Sequence, residues 1–353
     1  MQKQTVPLPV GIVSYGTYVP KGRVRSTTID AAHGRVSDSL LATASYTQKS
    51  VPDSDEDAVT LSVQAGSQAI ARTKIPVQAI KALFIGSESH PYAVKPTGTV
   101  VASALGLSEE VSLADLEFAC KAGTQALQIV QAYVQSGMIE YGLAMGSDTA
   151  QAAPGDALEY TAAAGSAAYV LGSEQILVEI IDSVSVATDT PDFWRAAGAP
   201  VPQHAGRFTG EPAYFYHSTA SVERLYKKTG ITTRDIDYCV FHTPNGKFPR
   251  QFAARLGFSA AQIEPSLVVE ETGNTYSAAG LLALAHLLDQ VAANKTILFA
   301  SYGSGAGSDA FLLRTTALLP KKRAEWTDFV SDYSKNTQEL TYTEYQKRTT
   351  GSH

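Results

Sequence analysis

The sequence predicts a layered α/β body made of two similar halves, and three observations lead to it. Segments recur at one offset: Cys120-Lys-Ala-Gly-Thr-Gln-Ala-Leu127 aligns with Ser277-Ala-Ala-Gly-Leu-Leu-Ala-Leu284, Gly146-Ser147 with Gly303-Ser304, and Phe84 with Phe241, each pair 157 positions apart. The helical stretch Ala278 to Ala293 is apolar almost all round, the pattern of a helix buried inside a large protein. Short apolar runs bounded by turn residues alternate with helical patterns throughout, as packed sheets and helices require. Two buried helices, one per half and back to back between sheets, give an α/β/α/β/α stack whose helix N-termini point toward a common place.

Gly11-Ile-Val-Ser-Tyr-Gly-Thr-Tyr-Val-Pro20 reads as a first strand ending in a turn. The acidic run Asp53-Ser-Asp-Glu-Asp57 precedes an apolar stripe from Ala58 to Ile70, so these acids are read as a helix start rather than metal ligands. Ala79 to Gly86 is a short buried strand that delivers Ser87-Glu88-Ser89-His90-Pro91 into a loop. Val111 to Phe118 is strand-like, and Ala122, Ala126, Leu127, Ile129, Val130, Tyr133 and Val134 then recur at helical spacing. Cys120 sits at that corner, at or near a helix N-terminus. There the exposed N–H groups and the macrodipole are expected to favour a thiolate. The alternative for a lone Cys is a structural core position. Further strands are expected at Gly142 to Gly146, Ala167 to Leu171, Ile176 to Val186 and Ala310 to Leu313. Asp189 to Glu211 is a Pro- and Gly-rich excursion carrying Arg195, Arg207 and Thr209, long enough to be functional. The expected division is a first half over 1–172, a second over 173–318 and an extension over 319–353.

Composition excludes several classes. A net charge of −6, with no basic run longer than Lys321-Lys322-Arg323, argues against a nucleic-acid surface. No uninterrupted apolar stretch is long enough to span a membrane, and Met1-Gln-Lys-Gln-Thr-Val-Pro7 lacks a signal-peptide core, so a cytoplasmic protein is expected. Two Cys make no disulfide framework, and seven scattered His give no metal spacing. Gly303-Ser-Gly-Ala-Gly-Ser308 runs into a strand, so a tight hairpin is expected there rather than a dinucleotide loop. No Gly-x-Ser-x-Gly elbow occurs.

With the halves related by a pseudo-two-fold axis, loops bearing Glu88, His242, Cys120, Asn274 and Ser304 converge on the helix N-termini. A base, an acid/base, a nucleophile and two hydrogen-bonding groups suit thioester chemistry.

Phe118-Ala-Cys-Lys-Ala-Gly-Thr124, Gly86-Ser-Glu-Ser-His-Pro-Tyr-Ala-Val-Lys-Pro96, Phe241-His-Thr-Pro-Asn-Gly-Lys247 and Gly273-Asn-Thr-Tyr-Ser277 together resemble the motifs of archaeal-type hydroxymethylglutaryl-CoA synthase, a thiolase-like family. The likeness runs from about Gly11 to Leu313 and includes Pro154-Gly-Asp-Ala-Leu-Glu-Tyr-Thr161 and Gly206-Arg-Phe-Thr-Gly-Glu-Pro212. It implies a thiolase-like five-layered fold, acetylation of Cys120 by acetyl-CoA, and Glu88 as the base that deprotonates the acetyl methyl group. It also implies His242 as acid/base toward acetoacetyl-CoA and Asn274 as the group holding the thioester oxygen. By the same resemblance Thr161, Thr209 and Ser304 line the acyl pocket, Arg207 and Lys247 face CoA, and Asp30 and Ala31 stand at the CoA entrance. No cofactor or metal is implied beyond the CoA thioesters themselves. The implied partners are a second copy of the chain in a homodimer or larger homo-oligomer, an acetoacetyl-CoA thiolase, and a small zinc-containing OB-fold protein.

Two departures stand out. Thr243 replaces the Gln that usually follows the catalytic His, and Pro249-Arg250 shifts the Arg that members carry after the Lys. The alternatives are a ketosynthase III-like condensing enzyme, whose decarboxylative reaction needs no base such as Glu88, and a non-catalytic acyl-CoA-binding scaffold for a thiolase.

Overall fold

A computed structural model describes residues 8–35, 46–150 and 152–350, without the side chains of Arg207 and Thr350. Fourteen strands are described among these residues. Nine form the central sheet: β1 (Gly11–Tyr18), β4 (Ile80–Gly86), β5 (Ser112–Leu116), β6 (Tyr141–Thr149), β7 (Ala164–Gly172), β8 (Val178–Thr190), β11 (Tyr238–Phe241), β12 (Thr296–Ala300) and β13 (Gly305–Thr315). Their order is β11-β12-β13-β8-β1-β7-β6-β4-β5. The seam between halves is narrow, because β1 and β8 share only the pairs Gly11↔Glu179 and Ile12↔Val178. On either side the pairing repeats. β4 lies parallel to β6 as β11 does to β12, and the β6–β7, β7–β1, β12–β13 and β13–β8 pairs are antiparallel.

The principal helices are α1 (Ser26–Ala32), α2 (Ala58–Ala71), α3 (Thr97–Leu105), α4 (Ala122–Gln135), α5 (Phe215–Thr229), α6 (Lys247–Arg255), α7 (Ala279–Leu288) and α8 (Tyr342–Thr350). Alternation along each strand sorts the apolar residues into layers. Phe84, Tyr169, Val240, Phe299 and Phe311 face a middle layer formed by α4 and α7. Leu83, Ile85, Met145 and Val170 face α2 and α3 on one outer side. Cys239, Phe241, Leu298 and Leu312 face α5 on the other. The result is the expected five-layer stack. Asp57 opens α2 through a reciprocal capping box with Thr60, so the acidic run does begin a helix there.

The repeat holds at the two corners but slips at one match. Ala119 and Tyr276, again 157 apart, are both non-glycine residues with positive φ (44° and 51°), each just before Cys120 or Ser277. Gly146 and Gly303 each pack on the opposite half's corner: a Cβ would stand 2.3 Å from the Ser277 oxygen in the first case and 2.5 Å from the Phe118 oxygen in the second. Phe84 and Phe241, by contrast, face opposite sides of their sheet halves. Strand side chains alternate, so a one-residue register difference turns the aromatic outward.

The C-terminal segment docks back on the body. The short strand β14 (Gln338–Glu339) pairs with β2 (Gly22–Arg25), and Lys49 on β3 (Gln48–Val51) donates to the Tyr345 hydroxyl at 3.0 Å.

Candidate active site

Strand β5 ends at Leu116, and the chain turns through Ala119 before α4 begins at Ala122 with Lys121 as N-cap. The turn uses two N–H groups at this corner for its own closure: Lys121 donates to the Phe118 oxygen and Ala122 to the Ala119 oxygen. The expected thiolate is therefore corrected. Burial and the neighbouring Glu88, Asp148 and Asp192 carboxylates push the Cys120 thiol well up, so Cys120 rests as S–H. It donates to Glu88 Oε1 at 3.1 Å. Lys121 is buried and turns away from the thiol, with Nζ 3.1 Å from Asp309 Oδ1 and 4.4 Å from the Phe118 ring centroid. Thr124 and Ser185 hydroxyls add bonds to Asp309, each at 2.7 Å, so β8 and β13 of the second half brace the corner of the first.

Glu88 follows β4 in a loop organised by buried Asp148 at the end of β6. Asp148 Oδ1 accepts from Ser87 Oγ (2.9 Å), the Glu88 N–H (2.7 Å) and Ser89 Oγ (2.7 Å). Its Oδ2 accepts from the Ser277 N–H at 2.8 Å. Arg195 Nη2 donates to the Glu88 carbonyl at 2.8 Å. Burial first, and then the Asp148 charge, raise the Glu88 carboxyl to about 8, against the lowering influence of Cys120 and Arg195. A carboxyl poised there can hold or release a proton near neutral pH.

His242 follows β11. Its N–H bonds the Ala300 oxygen at 3.0 Å, its carbonyl accepts from the Tyr214 hydroxyl at 3.0 Å, and its ring lies 6.4 Å from that of Tyr214 and 6.3 Å from that of Tyr302. Burial lowers it to about 3, so the imidazole is neutral, and its Nδ1 has no hydrogen-bond partner. Asn274 is buried beside Thr161. Its N–H bonds the Thr161 oxygen at 2.8 Å, and its Oδ1 accepts from the Tyr276 N–H at 3.0 Å, which leaves the amide NH2 as the donor end.

A cavity of about 650 Å3 adjoins this centre. Glu88, Ser304, Ala119 and Tyr276 line it, whereas Cys120, His242 and Asn274 are not among its lining residues. Thr209 bonds the Asp192 carbonyl at 3.0 Å, and Asp192 in turn accepts from Tyr302 and the Gly305 N–H. Lys247 is exposed at the start of α6. Asp30 is buried on α1 and accepts from the Tyr160 hydroxyl at 2.6 Å, with Ala31 exposed beside it. Arg207 lies in the turn Gly206–Thr209, its side chain outside the described part. Arg250 is engaged by Glu264 and Glu270, at 2.7 and 2.5 Å. Cys239, buried in an outer layer with its thiol pushed up by burial, takes no part.

Sequence reasoning missed Asp148, Asp192 and Asp309. The available signal was an acid inside or beside a small-residue apolar run, as in Gly146-Ser-Asp148 and Ser308-Asp309-Ala-Phe311.

Two copies of one α/β unit around paired buried helices, with a cysteine corner in only one of them, is the plan of the thiolase-like acyl-condensing enzymes, and the fold places this chain in that class. A sequence profile described as the C-terminal part of 3-oxoacyl-[acyl-carrier-protein] synthase III matches residues 226–315. Hydroxymethylglutaryl-CoA synthase of Methanopyrus kandleri is 49% identical over 338 residues, covering 96% of each chain. That of Archaeoglobus fulgidus is 51% identical, over 90% of this chain and 93% of its own. Among solved structures, a hydroxymethylglutaryl-CoA synthase complexed with CoA superposes with a TM-score of 0.89 at 21% identity, covering 96% of this chain and 90% of that one. The chain belongs to the archaeal-type hydroxymethylglutaryl-CoA synthase family and is an acyl-condensing enzyme. A match of 338 residues is too long to end before the 319–353 segment, so relatives share at least part of it.

Proposed function

We propose that this enzyme condenses acetyl-CoA with acetoacetyl-CoA through an acetyl-Cys120 intermediate, supplying hydroxymethylglutaryl-CoA to the mevalonate route to isoprenoid precursors. The observation that carries this reading is the Cys120 thiol seated on the Glu88 carboxylate at 3.1 Å, at a strand-to-helix corner. Cys120 Sγ attacks the acetyl carbonyl as its proton passes to Glu88, and CoA leaves as the thiol after taking up that proton. Ionised Glu88 then removes a methyl proton from acetyl-Cys120. The resulting carbanion forms a C–C bond to the ketone carbon of acetoacetyl-CoA, whose oxygen becomes a hydroxyl. Neutral His242 faces that oxygen, holding it by hydrogen bond and relaying the proton it gains. Water then cleaves the enzyme thioester and restores the thiol.

A methyl group alpha to a thioester is a weak acid, so its enolate oxygen needs donors. The Asn274 NH2, freed because Tyr276 holds Oδ1, suits that role. One such donor is worth about 3 to 4 kcal/mol, and a positioned base roughly a hundred- to ten-thousand-fold. Thr161, Thr209 and Ser304 are proposed around the acyl group, Arg207 and Lys247 at CoA, and Asp30 and Ala31 at its entrance; no further cofactor is needed. The ion pairs of Arg250 weigh against a CoA role for it.

The matched profile on residues 226–315 makes a ketosynthase III-like activity the second reading. Glu88 argues against it, since decarboxylation creates a carbanion without a base. A homodimer is proposed through the sheet edge at β5, whose residues are only half covered within one chain. Assembly with an acetoacetyl-CoA thiolase and a small zinc-containing OB-fold protein in the cytoplasm completes the proposal. Incubation with both CoA thioesters should yield hydroxymethylglutaryl-CoA by mass spectrometry, and Cys120→Ala should yield neither product nor acetyl adduct. Condensation with a malonyl carrier protein alone would overturn the reading.

A further inference from the structure

The excursion after β8 forms a hairpin, β9 (Phe193–Trp194) with β10 (Gln203–His204), that walls the cavity opposite the Glu88 loop. Its root is fixed: buried Asp192 accepts from the Tyr302 hydroxyl at 2.5 Å and the Gly305 N–H at 2.8 Å, while its carbonyl accepts from the Ala205 N–H at 2.8 Å. Next to β9, Arg195 reaches across to the Glu88 carbonyl. It is the one Lys or Arg among the described residues lining the cavity, against five carboxylates: Glu56, Asp57, Glu88, Glu117 and Asp148.

Resting on the condensation reading above, we propose that Arg195 is a positioning residue for Glu88: it pins the loop through the Glu88 carbonyl and supplies the positive field that lets the carboxylate ionise beside Asp148. The groups facing Glu88 come from several elements. Asp148 on β6 opposes ionisation, Cys120 donates to the carboxylate from its corner, the Tyr276 hydroxyl lies within its electrostatic reach, and His90 stands two residues on in the same loop. Across the cavity only Arg195 brings positive charge that favours the ionised base.

The test compares wild type, Arg195→Met and Arg195→Lys as full chains. Enzyme pre-acetylated with acetyl-CoA is mixed with acetoacetyl-CoA over pH 6 to 10, and alkylation of Cys120 by iodoacetamide is followed over the same range. Arg195→Met should move the rising limb of condensation about one pH unit higher. The rate at pH 7 then falls roughly tenfold, while the alkaline plateau and the KM for acetoacetyl-CoA stay within about twofold. Arg195→Lys should recover most of the shift. The alkylation profile, which reads the thiol–carboxyl pair without any condensation, should move the same way. An unmoved limb overturns the proposal, as does a KM increase with the limb in place, which would make Arg195 a substrate contact. If wild type forms no condensation product while the alkylation profile still shifts, the field assignment stands and the proposed reaction falls.

Discussion

The condensation step should be governed by ionisation of Glu88, and the structure gives its pH dependence. With the carboxyl raised to about 8, only about one-tenth is ionised at pH 7 and about nine-tenths at pH 9, so a step needing the carboxylate should accelerate roughly tenfold between them. Acetylation removes the Cys120 S–H that lowers Glu88, so in the acetyl-enzyme the limb should lie at 8 or above. The assay is rapid-quench mixing of pre-acetylated enzyme with acetoacetyl-CoA, taken pH by pH. Glu88→Gln should remain acetylated and lose the limb together with the turnover. The sign for stability runs the other way. A carboxyl raised on folding favours the native state fully below about 4.5 and loses that contribution as pH climbs through 8. Glu88→Gln should therefore melt a few degrees higher than wild type above pH 8, the expected signature of a group kept for catalysis at a cost in stability. A flat condensation profile from pH 6 to 9, or a limb that survives in Glu88→Gln, would refute the assignment.

Lys49 is buried, its ammonium lowered to about 7 by desolvation, with Tyr345 as its hydrogen-bond partner. A depressed lysine gives its full contribution above about 10.5 and loses it as pH falls through 7, so Lys49→Met should stabilise the fold at pH 7. Set against the lost Tyr345 bond, the gain is on the order of 2 kcal/mol by urea denaturation; a destabilised variant would sink this account. Lys121→Met leaves Asp309 buried without its cation and should cost about 3 to 5 kcal/mol, with much of the loss recovered by adding Asp309→Leu. Equal denaturation midpoints for wild type and Lys121→Met would show that the pair does not brace the corner.

What could be read from the sequence followed from how local each feature is. The layers were legible because Ala79 to Gly86 and Gly142 to Gly146 are short, continuous apolar runs and α7 is apolar almost all round. Cys120 and Glu88 were legible because each stands just past a strand, where a parallel pair delivers its loops to one edge. The state of the thiol was not, because it depends on where two backbone N–H groups go and on three carboxylates far apart in sequence. Asp148 and Asp309 escaped for the same reason. Their side-chain partners lie 59 or more residues away, so nothing in their own neighbourhood distinguishes them from ordinary polar positions.

The duplicated corner explains why those distant partners exist. In the second half the corner residue is Ser277, whose hydroxyl lies 2.9 Å from the Gly86 oxygen and 2.5 Å from Asp148 Oδ2. Those are the end of the strand that carries Glu88 and the carboxylate that holds its loop. The second corner thus fixes the base for the first, while Asp309 of the second half fixes the residue after the nucleophile. Each half supplies what the other's corner lacks. Moving one half against the other would pull Ser277 off Asp148 and Asp309 off Lys121, loosening the base and the nucleophile corner together, so the shared middle layer of α4 and α7 has to hold the halves rigidly in register.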